Sequence, residues 1–362
     1  MTKSSTAVVM GESWQTIGLD LSDQTGVFVA VDKKGAEMQV GRISLTRVGL
    51  AKVFASRRPC RVAIEAGTHS PWVSRALSEW GHEVIVANPR QVRLISHGKR
   101  KNDKEDAENL ARLARVDPKL LHPICHRGEQ AQADLAYIRS RKALVEARTA
   151  LINCARGIAK SMGTRLPKCE SKSFTDKVKE DVPPALKPAF EPLLRSIKQL
   201  SQEIDVMDKQ IDKLSEERYP ETAVLRQVKG VGPIVSLTYV LTLEDPQRFK
   251  KSRSVGSFLG MVPRQHESGE QKPQLPITKA GDVYLRSVLV QSAQYILGPF
   301  GPDCDLRRWG LKLAERGSKN QKKRAITAVA RKLAVLLHRL WLTGEVYEPL
   351  RQANKAPTEV AA

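Results

Sequence analysis

The sequence predicts a mixed α/β domain over about residues 14–119, followed by a chain that is helical almost to its end. Three observations predict this. Three β-branched and apolar runs separated by turn residues open the chain. Two more short apolar runs then alternate with helix-like segments. Beyond residue 130 the apolar residues recur at helical spacing, not in alternation.

Thr16–Leu21, Gly26–Val31 and Glu37–Ile43 read as strands, with Asp23-Gln24-Thr25-Gly26 and Asp32-Lys33-Lys34-Gly35 as hairpin turns. A helix follows over Leu45–Ser56. The run Arg61–Ile64 is a strand ending at Glu65. Pro71–Trp80 reads as a helix, Glu83–Ala87 as a strand and Lys104–Arg115 as a helix. The order β-β-β-α-β-α-β-α builds one sheet with helices packed on it.

Residues 120–221 read as a helical linker. One long helix spans Gln130–Lys160, and the Lys-, Ser- and Pro-rich stretch Leu166–Pro188 reads as a loop or broken segment. Phe190, Leu193, Ile197, Leu200, Ile204, Met207, Ile211 and Leu214 then recur at alternating steps of three and four, the seam of a coiled coil. Its partner is the Gln130–Lys160 helix or another protomer; the alternative is an amphipathic helix packed inside its own domain. Residues 222–350 form a helical domain with Gly-rich turns, and 351–362 a disordered tail.

Charge narrows the function. The 362 residues carry 60 Lys and Arg against 39 Asp and Glu, a net charge of +21. Such an excess repels itself unless a polyanion offsets it, and nucleic acid is the natural partner because each phosphate contact releases condensed counterions. The five cysteines are scattered, without a C-x-x-C, which argues against a disulfide framework and a zinc site. No apolar run approaches the roughly 20 residues of a membrane span, no signal-peptide pattern is seen, and the scattered cysteines fit a reducing cytoplasm, the expected location.

Four carboxylates stand out. Asp20 lies within an otherwise apolar strand, where a charge is costly unless it is paired or metal-bound. Glu65 ends a second strand. Asp103 and Asp106, three apart at a helix start, share a face. Together they form a hard-oxygen donor set of the kind magnesium takes, and paired ions can clamp the attacking and leaving oxygens of a phosphodiester. Lys99, Arg100, Lys101 and Lys104 flank the helix and are candidates for holding the nucleic-acid backbone. Taken singly, each carboxylate also has an ordinary structural reading: Asp103 as an N-cap, Asp106 as a solvated helix position, Glu65 as a strand-end charge.

In the last domain, Lys229-Gly230-Val231-Gly232-Pro233 looks like half of a helix-hairpin-helix, whose glycines let the backbone approach a phosphate. Downstream stand Pro263, Arg264, Glu267, Ser268 and Gly269, then Lys279, Ala280, Gly281, Leu285 and Arg286. On the residues alone, Ser268 is either a turn serine or a nucleophile with Arg264 beside it to bind phosphate. Lys322, Lys323 and Arg324 lie on a basic stretch with apolar positions on its other side, a packed helix with a nucleic-acid-facing surface. No Walker-type nucleotide loop is present.

The wording Gly18-Leu19-Asp20-Leu21-Ser22, Ile64-Glu65-Ala66-Gly67-Thr68, Ala87-Asn88-Pro89-Arg90-Gln91-Val92 and Asn102-Asp103-Lys104-Glu105-Asp106-Ala107 resembles the transposases of the insertion-sequence family numbered 110, branch 1111. The resemblance extends to the Pro-Arg-x-x-Glu-Ser-Gly segment and covers nearly the whole chain. It implies a RuvC-like, RNase H-fold domain with a D-E-D-D tetrad of Asp20, Glu65, Asp103 and Asp106 holding magnesium. It implies a second, serine-bearing transposase domain in which Ser268 is catalytic. It also implies donor and target DNA as substrates, a noncoding guide RNA as partner, and a dimer or tetramer in which the two sites meet across protomers. The rival expectations are a metal-only structure-specific nuclease and a non-catalytic nucleic-acid-binding protein.

Overall fold

A computed structural model describes residues 15–92, 102–265, 275–315, 317 and 319–351. The chain divides into two compact units, Met1–Arg127 and Gly128–Ala362.

In the first unit, β1 (Thr16–Leu21), β2 (Thr25–Val31) and β3 (Glu37–Ser44) precede α1 (Arg47–Phe54). Then follow β4 (Arg61–Glu65), α2 (Ser70–Glu79), β5 (Glu83–Ala87), the short α3 (Pro89–Val92) and α4 (Asp103–Val116). Alternation and turn chemistry explain the first three strands: the Asp32 carboxylate accepts from the Lys34 and Ala36 amides at 2.8 Å, and Gly35 supplies the positive φ that closes the turn. The sheet order is β3-β2-β1-β4-β5. β1, β2 and β3 pair antiparallel, whereas β1, β4 and β5 run parallel, with helices as the crossovers.

Successive side chains point to opposite faces of the sheet. Ile17, Leu19, Phe28, Val62 and Ile64 meet α1 and α2 through Leu50, Phe54, Val73 and Leu77, all buried. On the other face Val29, Val31, Ala63 and Ile85 meet α4 through Ala107, Leu110, Ala111 and Ala114. Gly18 belongs to this second face. A Cβ there would stand 1.8 Å from the Ala107 carbonyl oxygen and 2.6 Å from the Ala111 nitrogen. Only a glycine lets the helix lie this close to the strand. α4 runs against β1 and β4: Ala107 sits over the middle of β1, while the Ala114 carbonyl accepts from Arg61, the first residue of β4 (3.0 Å).

The second unit begins with α5 (Glu129–Ser161), α6 (Phe174–Val178) and α7 (Lys187–Glu217). α5 and α7 are antiparallel, since Arg141 pairs with Asp208 and Arg148 donates to Ser201. Along α7 the buried row is Phe190, Ile197, Ile204 and Ile211, seven apart, as the seam requires. A second buried row falls at Leu194, Ser201 and Ser215, leaving Leu193, Leu200, Met207 and Leu214 only half-buried. The apolar stripe is therefore wider than a two-position seam. The segment Leu166–Pro188 is broken by α6, whose Phe174 and Val178 are fully buried against α5 and α7. At the other end of the hairpin, buried Asp134 accepts from Arg218, Tyr219 and Gln130. Burial works to raise its pKa, but these hydrogen bonds outweigh it and hold the carboxyl below its ordinary value.

α8 (Thr222–Arg226), α9 (Pro233–Leu243), α10 (Arg253–Phe258), α11 (Val283–Leu297), α12 (Asp305–Ala314) and α13 (Lys319–Thr343) complete the unit. Their shared core centres on Tyr239, Leu259, Leu289, Leu333 and Leu337. The Tyr239 hydroxyl donates to the Ala334 carbonyl at 2.6 Å. His338, fully buried, bridges the Ser252 hydroxyl and the Pro246 carbonyl, each at 3.0 Å. No helix among the described residues is long and apolar enough to cross a membrane.

The close approach at Gly18 yields a direct expectation. Gly18→Ala forces α4 off the sheet at a cost of about 1–3 kcal/mol or more. The check is the urea midpoint of the full chain; a midpoint equal to the parent's contradicts the packing.

Candidate active site

Asp20 stands near the end of β1, opposite Val27 in register, and Glu65 is the last residue of β4, opposite Ala87. Both are half-buried, and by strand alternation both share the α4-facing side with Gly18 and Ala63. Because α4 runs against these strands, its first turn, with Asp103 and Asp106, points toward the end of the sheet where β1 and β4 finish. Asn102 is the helix N-cap, accepting from the Lys104 amide at 3.1 Å, so Asp103 does not serve as the cap. Asp103 is exposed and Asp106 half-buried. Three acids in one first turn sit favourably at the positive end of the helix dipole.

The four predicted carboxylates thus fall on one face and toward one end of the sheet. Their side chains are not drawn into a cage: among the described residues, no three of His, Cys, Asp and Glu are grouped as metal ligands. The donor set is all oxygen and suits a hard cation. A groove of about 760 Å³ runs past Asp103, bounded by Val27, Val40, Arg42, Asn102 and Lys104. Lys104 is held by Glu37 at 2.9 Å, which raises its pKa through that hydrogen bond and charge. It does not present an unpaired charge, although an exposed pair of this kind contributes little to stability. Lys99, Arg100 and Lys101 lie outside the described residues.

The loop after Glu65 carries residues that the sequence did not single out. The Ser70 hydroxyl donates to the Gly67 carbonyl (2.8 Å) and accepts from the Gly67 amide (2.9 Å). His126 Nε2 lies 2.8 Å from the same hydroxyl, clamping the turn that follows the carboxylate. The two residues are 56 apart in the chain, and no motif joins them. Burial, then the charges of Arg75 and Arg127, lower the His126 pKa.

In the second unit, Pro263 and Ile277 form a β-bridge, reinforced by Arg264 N to Pro276 O and Thr278 N to Val262 O, each 2.9 Å. They make the stem of a hairpin. Ser268, with Glu267 and Gly269, lies outside the described residues. The base of the stem is locked by close backbone packing. Gly260 has φ +65°, and a Cβ there would meet the Ala280 nitrogen at 2.1 Å; a Cβ on Gly281, φ +71°, would meet the Phe258 carbonyl oxygen at 2.2 Å. Arg286, predicted to touch nucleic acid, is 9% exposed instead and donates to the carbonyls of Leu259, Ala280 and Gly281. Its charge ties the loop rather than meeting solvent. Arg264 and Lys279 are exposed on this stem, as are Lys322, Lys323 and Arg324 on α13. Lys229 is exposed beside Gly230, whose φ of +95° and approach to the Tyr295 ring require a glycine; Gly232 opens α9 with space around it.

Comparison with known proteins fits both units. The DEDD transposase family model, described as "Transposase", matches residues 17–162. A second, described as "Transposase IS116/IS110/IS902 family", matches 222–303. The chain is 31% identical over 340 residues to a probable family 20 transposase of Pseudomonas aeruginosa, covering 92% of this chain and 98% of that one. It is 27% identical to the transposase for insertion sequence element IS1111A of Coxiella burnetii, covering 91% and 90%. It is 25% identical to the pilin gene-inverting protein of Moraxella bovis, covering 72% and 74%. The chain is a transposase, an enzyme that recombines DNA. It belongs to the IS110 family of insertion-sequence transposases, of which IS1111 is a branch.

His126 gives a pH dependence. The folded chain binds this proton more weakly than the unfolded chain, whose histidine titrates near the ordinary 6.5. Stability from this source is therefore complete above that value and is lost as pH falls below it. Buried His338, also lowered by its burial, acts in the same direction. His126→Gln should lose less melting temperature than the parent between pH 7.5 and 5.5, read by circular dichroism; an equal loss contradicts the assignment.

Proposed function

We propose that this transposase exchanges DNA strands of an insertion sequence through a serine-linked intermediate, with magnesium held by Asp20, Glu65, Asp103 and Asp106 in a RuvC-like, RNase H-fold domain. The observation that carries the reading is the position of these four carboxylates on one face and toward one end of the sheet. Bound there, the metal supplies charge stabilisation to the attacking and leaving oxygens of a phosphodiester.

The residues of the chain do the rest. Ser268 Oγ attacks phosphorus; the P–Oγ bond forms as a P–O bond of the DNA strand breaks, and the leaving oxygen departs as a hydroxyl. A hydroxyl of a second strand then attacks the phosphoserine and releases Ser268. The exchange conserves the number of phosphodiester bonds and needs no ATP. Arg264 on the stem is suited to hold the phosphate, and the Ser70–His126 clamp to orient the turn after Glu65. The exposed end of α9 at Lys229 to Gly232, read as part of a helix-hairpin-helix, is suited to a backbone phosphate.

Site choice is assigned to a noncoding guide RNA that pairs with donor and target DNA, while the protein reads backbone and shape. The family likeness supports this, and the net charge of +21 suits two nucleic acids at once. The family likeness supports a dimer or tetramer in which metal and serine sites meet, whereas the apolar stripe of α7 is already covered within its own unit.

The test is junction amplification from cells carrying the element, scoring excised circles at equal protein levels. Ser268→Ala and Asp106→Ala should each reduce circles to background. Circles persisting with Ser268→Ala alone would point to water as nucleophile and metal-only chemistry. With purified protein, chelation of divalent metal should abolish strand exchange and added magnesium restore it; exchange unaffected by chelation would remove the metal from the account.

A further inference from the structure

The second unit contains a cavity of about 810 Å³ between α10, α12, α13 and the segment that follows α13. Arg253, Arg331, Lys332, Arg339 and Arg351 line it, against Asp305 and Glu348. Arg339 and Arg351 are both paired with Glu345. Among the described residues, no hydrogen bond or ion pair engages the head group of Arg253 or Arg331. Lys332 lies over the Trp309 ring, 3.9 Å from its centroid. Burial, then the neighbouring Arg331, push the Lys332 pKa down, with Asp305 opposing. Crowded cations with too few anions cost free energy that a bound anion removes.

A second cavity, of about 520 Å³, is lined by Pro263, Pro276 and Ile277 of the hairpin stem and by Lys323, Arg324 and Thr327 of α13. Arg331 lines both cavities. Arg324, Ala328, Arg331 and Val335 follow one another at steps of three and four, so one face of α13 leads from the stem to the larger cavity. The span from Arg324 to Val335 is about 16 Å along the axis. The larger cavity combines cations with the apolar side chains of Val262, Leu306, Val335 and Leu336. Cations over an apolar floor suit a single strand, whose phosphates and base faces are both exposed.

We propose that a single strand of DNA lies along this face of α13 and enters the larger cavity, where Arg253, Arg331 and Lys332 hold its phosphates. The proposal rests on the chain being a DNA strand-transfer enzyme, and not on Ser268 being the nucleophile.

The experiment uses the full-length Ser268→Ala protein, so that binding is read without strand chemistry and a wrong nucleophile leaves the readout intact. Anisotropy with a labelled single-stranded DNA oligonucleotide is measured across a salt series. Arg253→Gln with Lys332→Gln should weaken binding and lower the slope of log K against log salt by about 1.4, roughly 0.7 for each lost phosphate contact. Arg253→Lys with Lys332→Arg, which keeps both charges, should retain the parent's slope. The Gln pair binding DNA as tightly as the parent, with the same slope, overturns the proposal. So does a charge-keeping pair that binds as poorly as the Gln pair, since packing would then be the cause. A loss confined to a single-stranded RNA oligonucleotide of the same sequence also overturns it, because the cavity would then take RNA.

Discussion

The approach of α4 to β1 at Gly18 is the contact on which the first unit depends. With the Ala107 carbonyl where a Cβ would be, the helix lies against the sheet and its direction is fixed by Arg61 reaching Ala114. Two acids on strands and two on a helix, far apart in the chain, are thereby carried toward the same end. The first turn of α4 holds three carboxylates that its dipole favours and its N-cap Asn102 does not compete for. A bulkier residue at position 18 would act on the site through the helix, although it touches none of the four acids.

A similar economy operates in the second unit. Gly260 and Gly281 let two backbone segments touch, and Arg286 gathers three carbonyls from the same knot. The result is a rigid base for the Pro263–Ile277 stem. Such support bears on the proposal for Ser268, because a nucleophile contributes most when folding has already fixed its position. Lys-Ala-Gly-Asp at 279–282 is thus a structural signature as much as a chemical one: Gly281 permits the approach, and Asp282 caps α11 by accepting from Leu285 at 2.8 Å.

Much of this was legible in the sequence. β1, β4 and β5 begin and end where their apolar runs and turn residues place them, and a charged residue inside an apolar strand singled out Asp20. Less legible was anything set by distant partners. Ser70 looks like an ordinary turn serine until His126 is folded against it. Arg286 looks like a DNA contact until its burial is known. The α7 stripe is broader than its heptad because α6 and the rest of the unit cover it on a second side, and α6 itself lies in a stretch whose Lys, Ser and Pro content conceals the buried Leu166, Phe174, Val178 and Val182. Arg253 and Arg331 carry no local signal because basic residues occur all along the chain.

The charge surplus joins these parts. Cations paired within the protein, such as Lys104 with Glu37, Arg141 with Asp208 and Arg339 with Glu345, serve the fold, whereas Arg264 and Lys279 on the stem and Lys322 and Lys323 on α13 are exposed. The most direct test of the central claim is to incubate the purified protein with element-end DNA and the RNA proposed to guide it, denature it, and map any covalent adduct by peptide mass spectrometry. The account predicts a nucleotide joined through phosphate to the peptide containing Ser268. Cleaved strands without any protein adduct, or a link at another residue, would contradict it.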